Sequence, residues 1–285
     1  MSRSIIRFLG LLAISAAVLS TAFGGGEKLR YAMAKGSSVS YTLTGDTKSH
    51  AQMMGQDFTT TSWNFFGITM KVEDVGPTGS LTFIGTIDTN FAKIDSPMMK
   101  DTARVVTSIN GKRVRVTVSP IGKTLTTATI DSIPPSPGAQ MGGVVNPADI
   151  MRRLFIELPE NEVGVGESWK QTTPDTTDAG GFKMISKPDV TYKVLSSEKK
   201  GGYDCYKITF EGTASQYGTG SRQGMELVVD GTVKTSGTFY FAPKNGILVW
   251  VNSTSSSDSN ISGTGEQMFT ATQTVNTSST MELVR

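Results

Sequence analysis

Alternating hydrophobic and polar residues recur along most of the chain. Val39, Tyr41 and Leu43 alternate with Ser and Thr, and the same alternation recurs in segments further along. Such a period of two is typical of half-buried strands. The segments are those around Leu81 and Phe83; Val114, Val116 and Val118; Tyr206, Ile208 and Phe210; Leu227 and Val229; and Ile247, Val249 and Val251.

Turn dipeptides separate these segments. Asn110-Gly111, Gly201-Gly202, Asp230-Gly231 and Asn245-Gly246 are typical of hairpin turns. Residues 253–280 are rich in Ser, Thr and Gly, and we interpret them as long, solvated edge strands. The fold class predicted is therefore mainly β, with antiparallel curved sheets of the half-barrel or β-clam kind.

One helix interrupts the strand pattern. Asn146-Pro147 has the form of an N-cap followed by Pro at the first helical position. Ile150, Met151, Leu154 and Phe155 follow at helical spacing, so we predict a short helix over about 147–157.

The domain prediction follows from this layout. Residues 133–167 form a Pro-rich linker plus the helix, between β-rich halves at 23–132 and 168–285. The two halves are either duplicated units or parts of one continuous domain, 23–285.

The first 22 residues have the features of a secretory signal peptide. Arg3 and Arg7 precede an apolar run from Phe8 to Leu19, and small residues at Ser20-Thr21-Ala22 suit a signal peptidase. We expect a mature start near Phe23, a periplasmic or extracellular location, and no membrane span after cleavage. No Cys stands directly after the apolar run, so we do not expect a lipoprotein.

Composition narrows the function classes. The whole chain has 285 residues, 37% of them hydrophobic and 18% charged, with a net charge of +2. Loss of Arg3 and Arg7 leaves as many basic as acidic residues, which argues against a nucleic-acid partner. The single His50 and single Cys205 stand far apart, and neither a nucleophile elbow nor a phosphate-binding loop occurs. We therefore predict no enzyme, no catalytic residue, no metal and no cofactor.

A segment after the helix resembles a known signature. Leu158-Pro159, Val163-Gly164 and Val165-Gly166-Glu167-Ser168-Trp169 are similar to a pattern in a family of secreted bacterial β-rich proteins of unknown function. The resemblance implies an exported bacterial protein whose layout is similar to the half-barrels of periplasmic lipid carriers. In physical terms, Trp169 is expected to anchor the core.

Thirteen Met residues are the unusual feature of the composition. Flexible thioethers suit irregular apolar ligands. We therefore predict an exported, non-enzymatic envelope protein that binds an apolar ligand, such as a lipid, or the surface of another envelope protein on a curved sheet. The candidate ligand-binding residues are Met53, Met54, Phe65, Met98, Met99, Met151 and Phe155. The alternative for these residues is ordinary core packing. The alternatives for the protein are a structural or adhesive envelope component and a hydrolase with an unrecognised carboxylate site.

Overall fold

The computed structural model describes most of the chain after the predicted leader. The residues it describes are 26–97, 99–105, 109–132, 146–179, 182–222, 225–265 and 268–284. The predicted signal peptide, 1–22, and nearly all of the Pro-rich stretch that precedes the helix lie outside these ranges.

The described residues form one helix and thirteen strands. The helix α1 is Pro147–Arg152. The strands are β1 Ser38–Met53, β2 Gln56–Val75, β3 Leu81–Ser96, β4 Met99–Val105, β5 Arg113–Val118, β6 Thr124–Thr129, β7 Ser168–Gln171, β8 Asp175–Ala179, β9 Phe182–Lys200, β10 Tyr203–Arg222, β11 Met225–Ala242, β12 Ile247–Thr264 and β13 Phe269–Val284.

All the strands belong to one antiparallel sheet. Its order is β6-β5-β3-β2-β1-β13-β12-β11-β10-β9-β7, with β4 paired to β3 and β8 paired to β9. The predicted mainly β, antiparallel, curved architecture with one short helix is confirmed, and the sheet does not close on itself. Strands from before and after the helix meet where β1 pairs with β13, for example at Tyr41 and Leu283.

The two faces of the sheet differ. The inner face carries Tyr41, Tyr192 and Phe239, all buried. The outer face carries the alternate residues, such as Trp63, Thr191 and Lys234, which are more exposed. The core lies at one end of the inner face, where α1 and the buried residues Leu29, Tyr31, Leu154, Leu158 and Val163 cover it.

Glycines permit the close approach of strands on the inner face. A Cβ atom at Gly212 would collide with the backbone of Asp189 and Val190 on β9. A Cβ atom at Gly237 would collide with the carbonyl oxygen of Asn252 and the ring of Phe210. Glycine at these positions therefore allows the bend between neighbouring strands.

The helix begins where predicted but ends five residues earlier. The Asn146 side chain accepts a hydrogen bond from the Ala148 N–H at 2.9 Å and caps the first turn. After Arg152 the chain continues in a tighter turn, with Phe155 N–H donating to Arg152 O. The Tyr31 hydroxyl then donates a hydrogen bond to Ile156 O and accepts one from Ile156 N–H, so these backbone groups do not extend the helix.

Two sequence expectations about strands were wrong in detail. Asp230-Gly231 is not a hairpin turn, because both residues lie inside β11, where Gly231 pairs with Gln216 and Ser259. Gly231 is needed there since a Cβ atom would collide with Asp258 O. The Ser/Thr-rich strands β12 and β13 are not edge strands: each pairs on both sides, near the centre of the sheet.

Candidate functional site

The predicted apolar ligand residues lie in several different places. Met53 and Met54 are at the β1–β2 hairpin, where the Met54 side chain is 70% exposed. Met54, Met268 and Phe269 line a surface depression at this end of the sheet. Met151 is fully buried in the core, so it packs against protein atoms there.

The remaining predicted residues divide in the same way. Phe155 is partly buried and packs against the core, with its ring 5.4 Å from those of Tyr31 and Phe83. Phe65 lies on the outer face of β2. The structure describes only the backbone of Met99, in β4, and Met98 lies outside the described residues. The predicted set is therefore not assembled at a single site.

A large groove of about 1250 Å³ crosses the middle of the sheet. On its flanking strands only alternate residues line it, such as Lys93 and Asp95 of β3 and Asp189 and Thr191 of β9. These residues belong to the outer face, so the groove lies opposite the core. We call it the outer groove.

Strand register aligns the lining of the outer groove in two parallel rows. The first row, from β3 to β7, is Lys93, Trp63, Asp46, Ser278, Thr254, Ser236, Glu211, Thr191 and Lys170. The second row, from β3 to β9, is Asp95, Thr61, Lys48, Asn276, Ser256, Lys234, Thr213 and Asp189. Charged residues therefore flank a central stretch of hydroxyl and amide side chains.

Most of the charged groups in the outer groove are available to a ligand. Lys170 and Asp189 form an ion pair, with Nζ and Oδ1 3.0 Å apart. In the part of the chain that the structure describes, no other ion pair involves the lining residues. Among the described side chains, Asp46, Lys48, Lys93, Asp95, Glu211 and Lys234 have no ionic partner.

Three aromatic rings lie at the β2–β3 end of the outer groove. Trp63 lines the groove and is 40% exposed. Its ring stacks on Phe65, at a centroid distance of 6.3 Å, and Phe65 lies 6.1 Å from Phe91. Phe91 is also exposed, so the three rings form an apolar platform on the outer face.

A second cavity, the inner cleft, lies on the other face of the sheet. Its volume is about 860 Å³. One wall comes from β6, α1 and the residues after it, including Leu125, Phe155 and Ile156. The opposite wall is the inner face of β9 to β11, including Tyr192 and Phe210. The inner cleft is thus bounded by the helix layer and the sheet.

Hydrogen bonds link three polar side chains, Tyr192, Gln171 and Glu157, at the inner cleft. The Tyr192 hydroxyl donates to Gln171 Oε1 at 2.9 Å, and Gln171 Nε2 donates to Glu157 Oε2 at 3.0 Å. Burial raises the pKa of Tyr192 to about 12, and the nearby Glu157 carboxylate adds to the rise. Tyr192 is therefore a neutral hydrogen-bond donor at physiological pH.

His50 and Cys205 lie outside the outer groove and the inner cleft. His50 is exposed and contacts Thr59 Oγ1 at 3.3 Å and Asp57 Oδ1 at 3.4 Å. Cys205 is buried, and burial raises the pKa of its thiol to about 11, so it is protonated at neutral pH. Across the described ranges, no cluster of His, Cys, Asp and Glu has the arrangement of a metal site.

Among the described residues, the carboxyl groups with shifted pKa values lie outside the outer groove and the inner cleft. A hydrogen bond from Arg113 lowers the pKa of Asp131 to about 2, and one from Arg115 lowers that of Glu73. Lys35 does the same for Asp74, and hydrogen bonds from Tyr240 and Ser196 do so for Glu198. Each favours the ionised form, which is the reverse of what a general acid needs.

Sequence reasoning missed the outer groove. Its lining residues are individually ordinary, and the alternation within each strand predicts only which face a side chain takes. The residues meet because neighbouring strands pair in one particular register, and Ser/Thr-rich strands specify register weakly. The available signal in the sequence was Trp63, which directly follows the polar run from Thr59 to Ser62.

Comparisons with known proteins are weak. No protein-family model and no curated protein matches the chain. Among solved structures, an outer membrane channel from Pseudomonas putida F1 has 9% identity and a TM-score of 0.26, over 90% of this chain and 98% of that chain. OpdO from Pseudomonas aeruginosa has 8% identity and a TM-score of 0.21, over 87% of this chain and 98% of that chain. Structural similarity at these TM-scores indicates neither a shared fold nor a shared function.

Among the residues that the structure describes, no helix has both the length and the apolar character needed to cross a bilayer.

Proposed function

We propose that the chain is an exported, non-enzymatic binding protein of the bacterial envelope that holds an apolar or amphipathic small molecule in the inner cleft. The observation that carries this proposal is the cleft itself. A cavity of about 860 Å³ has the size of a small-molecule site, and its lining combines apolar side chains such as Leu125, Phe155 and Phe210 with a similar amount of polar surface.

The lining supports an amphipathic ligand, with an apolar part and a polar part. Phe155 and Ile156 present apolar surface from the helix side, and Tyr192 and Phe210 do so from the sheet. Arg152, Arg153 and Glu157 supply polar groups at the same cleft. An acyl chain with a polar head is the simplest ligand that satisfies both kinds of surface.

Separate features of the chain support export and a binding role. The predicted signal peptide supports an envelope or extracellular location. The Cys205 thiol is buried with a raised pKa, and His50, which contacts Asp57 and Thr59, is exposed. Neither residue lines the inner cleft or the outer groove, and this placement supports a binding role.

The test uses a fluorescent fatty acid as the probe. Leu125 is 52% exposed and lines the inner cleft, so Leu125→Asp places a charge where the acyl chain lies without emptying the core. We expect the wild type to bind the probe and Leu125→Asp to bind it at least about tenfold more weakly, since about 1.4 kcal/mol suffices for that loss.

Leu195→Asp is the matched control. Leu195 lies in β9, is 44% exposed and does not line the inner cleft. It should bind the probe as the wild type does. Absence of probe binding by the wild type would favour a purely structural envelope component, and equal binding by Leu125→Asp would exclude the inner cleft.

A further inference from the structure

A ligand in the outer groove would contact side chains rather than a free strand edge. It crosses the interior of the sheet, where the strands that carry its two rows pair with neighbours in register. A peptide that adds as an extra strand needs an unpaired edge, which the floor of this groove does not provide. The groups that the groove offers to a ligand are hydroxyl, amide, carboxylate, ammonium and aromatic side chains.

The charges of the outer groove are balanced. Asp46, Asp95, Asp189 and Glu211 line it on the acidic side, and Lys48, Lys93, Lys170 and Lys234 on the basic side. A polyanion such as a nucleic acid requires an excess of basic groups along its path. The balance favours an uncharged polar ligand.

The length of the outer groove suits a chain molecule. The first row takes one residue from each strand between β3 and β7. Neighbouring strands lie about 4.8 Å apart, so the row extends for about 38 Å measured along the sheet. Short side chains such as Ser278, Thr254 and Ser236 occupy its middle and leave space above the backbone.

The aromatic platform adds a second kind of contact. Sugar rings have apolar C–H faces and a rim of hydroxyl groups. The exposed ring of Trp63 can cover such a face, and its register neighbour Asp46 can accept hydrogen bonds from the hydroxyl groups. Asn276 and the Ser and Thr side chains offer both donors and acceptors.

We propose that the outer groove binds a neutral oligosaccharide chain that lies across the strands, with one sugar ring packed on Trp63. Asp46 and Asn276 accept hydrogen bonds from its hydroxyl groups. This site lies on the opposite face from the inner cleft and does not depend on the proposed function there.

The test measures binding of defined oligosaccharides to the full mature protein. The probes are hexasaccharides of glucose, mannose and N-acetylglucosamine, each in more than one linkage, with a sulphated hexasaccharide for comparison. Calorimetry gives the affinity, and quenching or a blue shift of tryptophan emission reports contact with Trp63. We expect at least one neutral hexasaccharide to bind, with an affinity insensitive to salt.

Three variants locate the binding. Trp63→Ala should weaken it about tenfold or more, and Asn276→Ala should weaken it to a smaller extent. Tyr217→Ala is the matched control, because Tyr217 is 51% exposed on the outer face of β10 but does not line the groove. It should bind as the wild type does. Circular dichroism checks that each variant is folded.

Several results would overturn the proposal. They are failure of the wild type to bind every neutral probe, binding of the sulphated probe alone, and equal binding by the wild type and Trp63→Ala. An equal loss in Tyr217→Ala would also overturn it. If Trp63→Ala does not fold, unchanged binding by Asn276→Ala together with unaltered tryptophan emission on ligand addition would do so. Loss of fatty-acid binding in Leu125→Asp is a separate outcome, because that residue lines the other face.

Discussion

The indole ring of Trp169 stacks on the phenol ring of Tyr192, with centroids 5.0 Å apart and planes 7° from parallel. The two residues are also register partners, where the four-residue strand β7 pairs with β9. Tyr192 is buried in the core and Trp169 packs against that core. The stack thus attaches a short edge strand to the inner face, beside the inner cleft.

Removal of the Trp169 ring should destabilise the protein. Trp169→Ala loses the stack and leaves a gap against the core, so we expect a decrease of about 2–4 kcal/mol in the free energy of unfolding. Urea unfolding followed by circular dichroism measures it. Trp169→Phe should lose much less, because it keeps an aromatic ring and removes a buried indole N–H that lacks a hydrogen-bond partner among the described residues. Equal losses would show that the stack does not hold β7.

The Tyr31 hydroxyl joins the chain before β1 to the segment after α1. It donates to Ile156 O at 3.1 Å and accepts from Ile156 N–H at 2.9 Å. Tyr31→Phe keeps the ring but leaves both backbone groups without this partner, so we expect a loss of about 1–3 kcal/mol. The exposed Tyr217→Phe should change stability by less than about 0.5 kcal/mol. Similar small changes in both variants would refute the role of the Tyr31 hydroxyl.

Much of the fold could be predicted from local patterns. Val114, Val116 and Val118 alternate with polar residues in the sequence, and all three are fully buried on one face of β5. Asn245-Gly246 is in a turn, with Gly246 at φ 64°, as its dipeptide type predicts. These features depend on neighbouring residues alone, so the sequence is sufficient to predict them.

Other features depend on distant partners. The pairing of Tyr41 with Leu283 brings the two ends of the sequence together, and no local pattern encodes that choice. Asp46 and Trp63 are neighbours in the outer groove because β1 and β2 pair in one particular register, which local patterns do not encode either. Phe155 lies at the inner cleft, but the end of the helix before it depends on Tyr31, which is distant in sequence.

Buried tyrosines should make the protein sensitive to alkaline pH. Burial raises the pKa of Tyr192 to about 12 and raises the pKa values of Tyr31 and Tyr41 as well. In the unfolded chain these groups ionise near pH 10. Between about pH 10 and 12 the unfolded state therefore binds fewer protons than the folded state, and stability falls as the pH rises.

This dependence can be measured by urea unfolding between pH 8 and pH 11.5, with phenolate absorbance at 295 nm as a second signal. Tyr192→Phe should reduce the slope of stability against pH in the alkaline range, because one raised group is removed. A free energy of unfolding that stays constant up to pH 11.5 would contradict the burial of these hydroxyl groups.

The most direct test of an exported binding protein is mass spectrometry of the chain purified from its own cell envelope. Under denaturing conditions we expect the mass of a chain whose first residue is Phe23 or one of Gly24 to Gly26. Under native conditions we expect additional mass from a co-purified small molecule, released on unfolding and absent from Leu125→Asp. A chain that retains Met1 and carries no bound molecule would contradict the account.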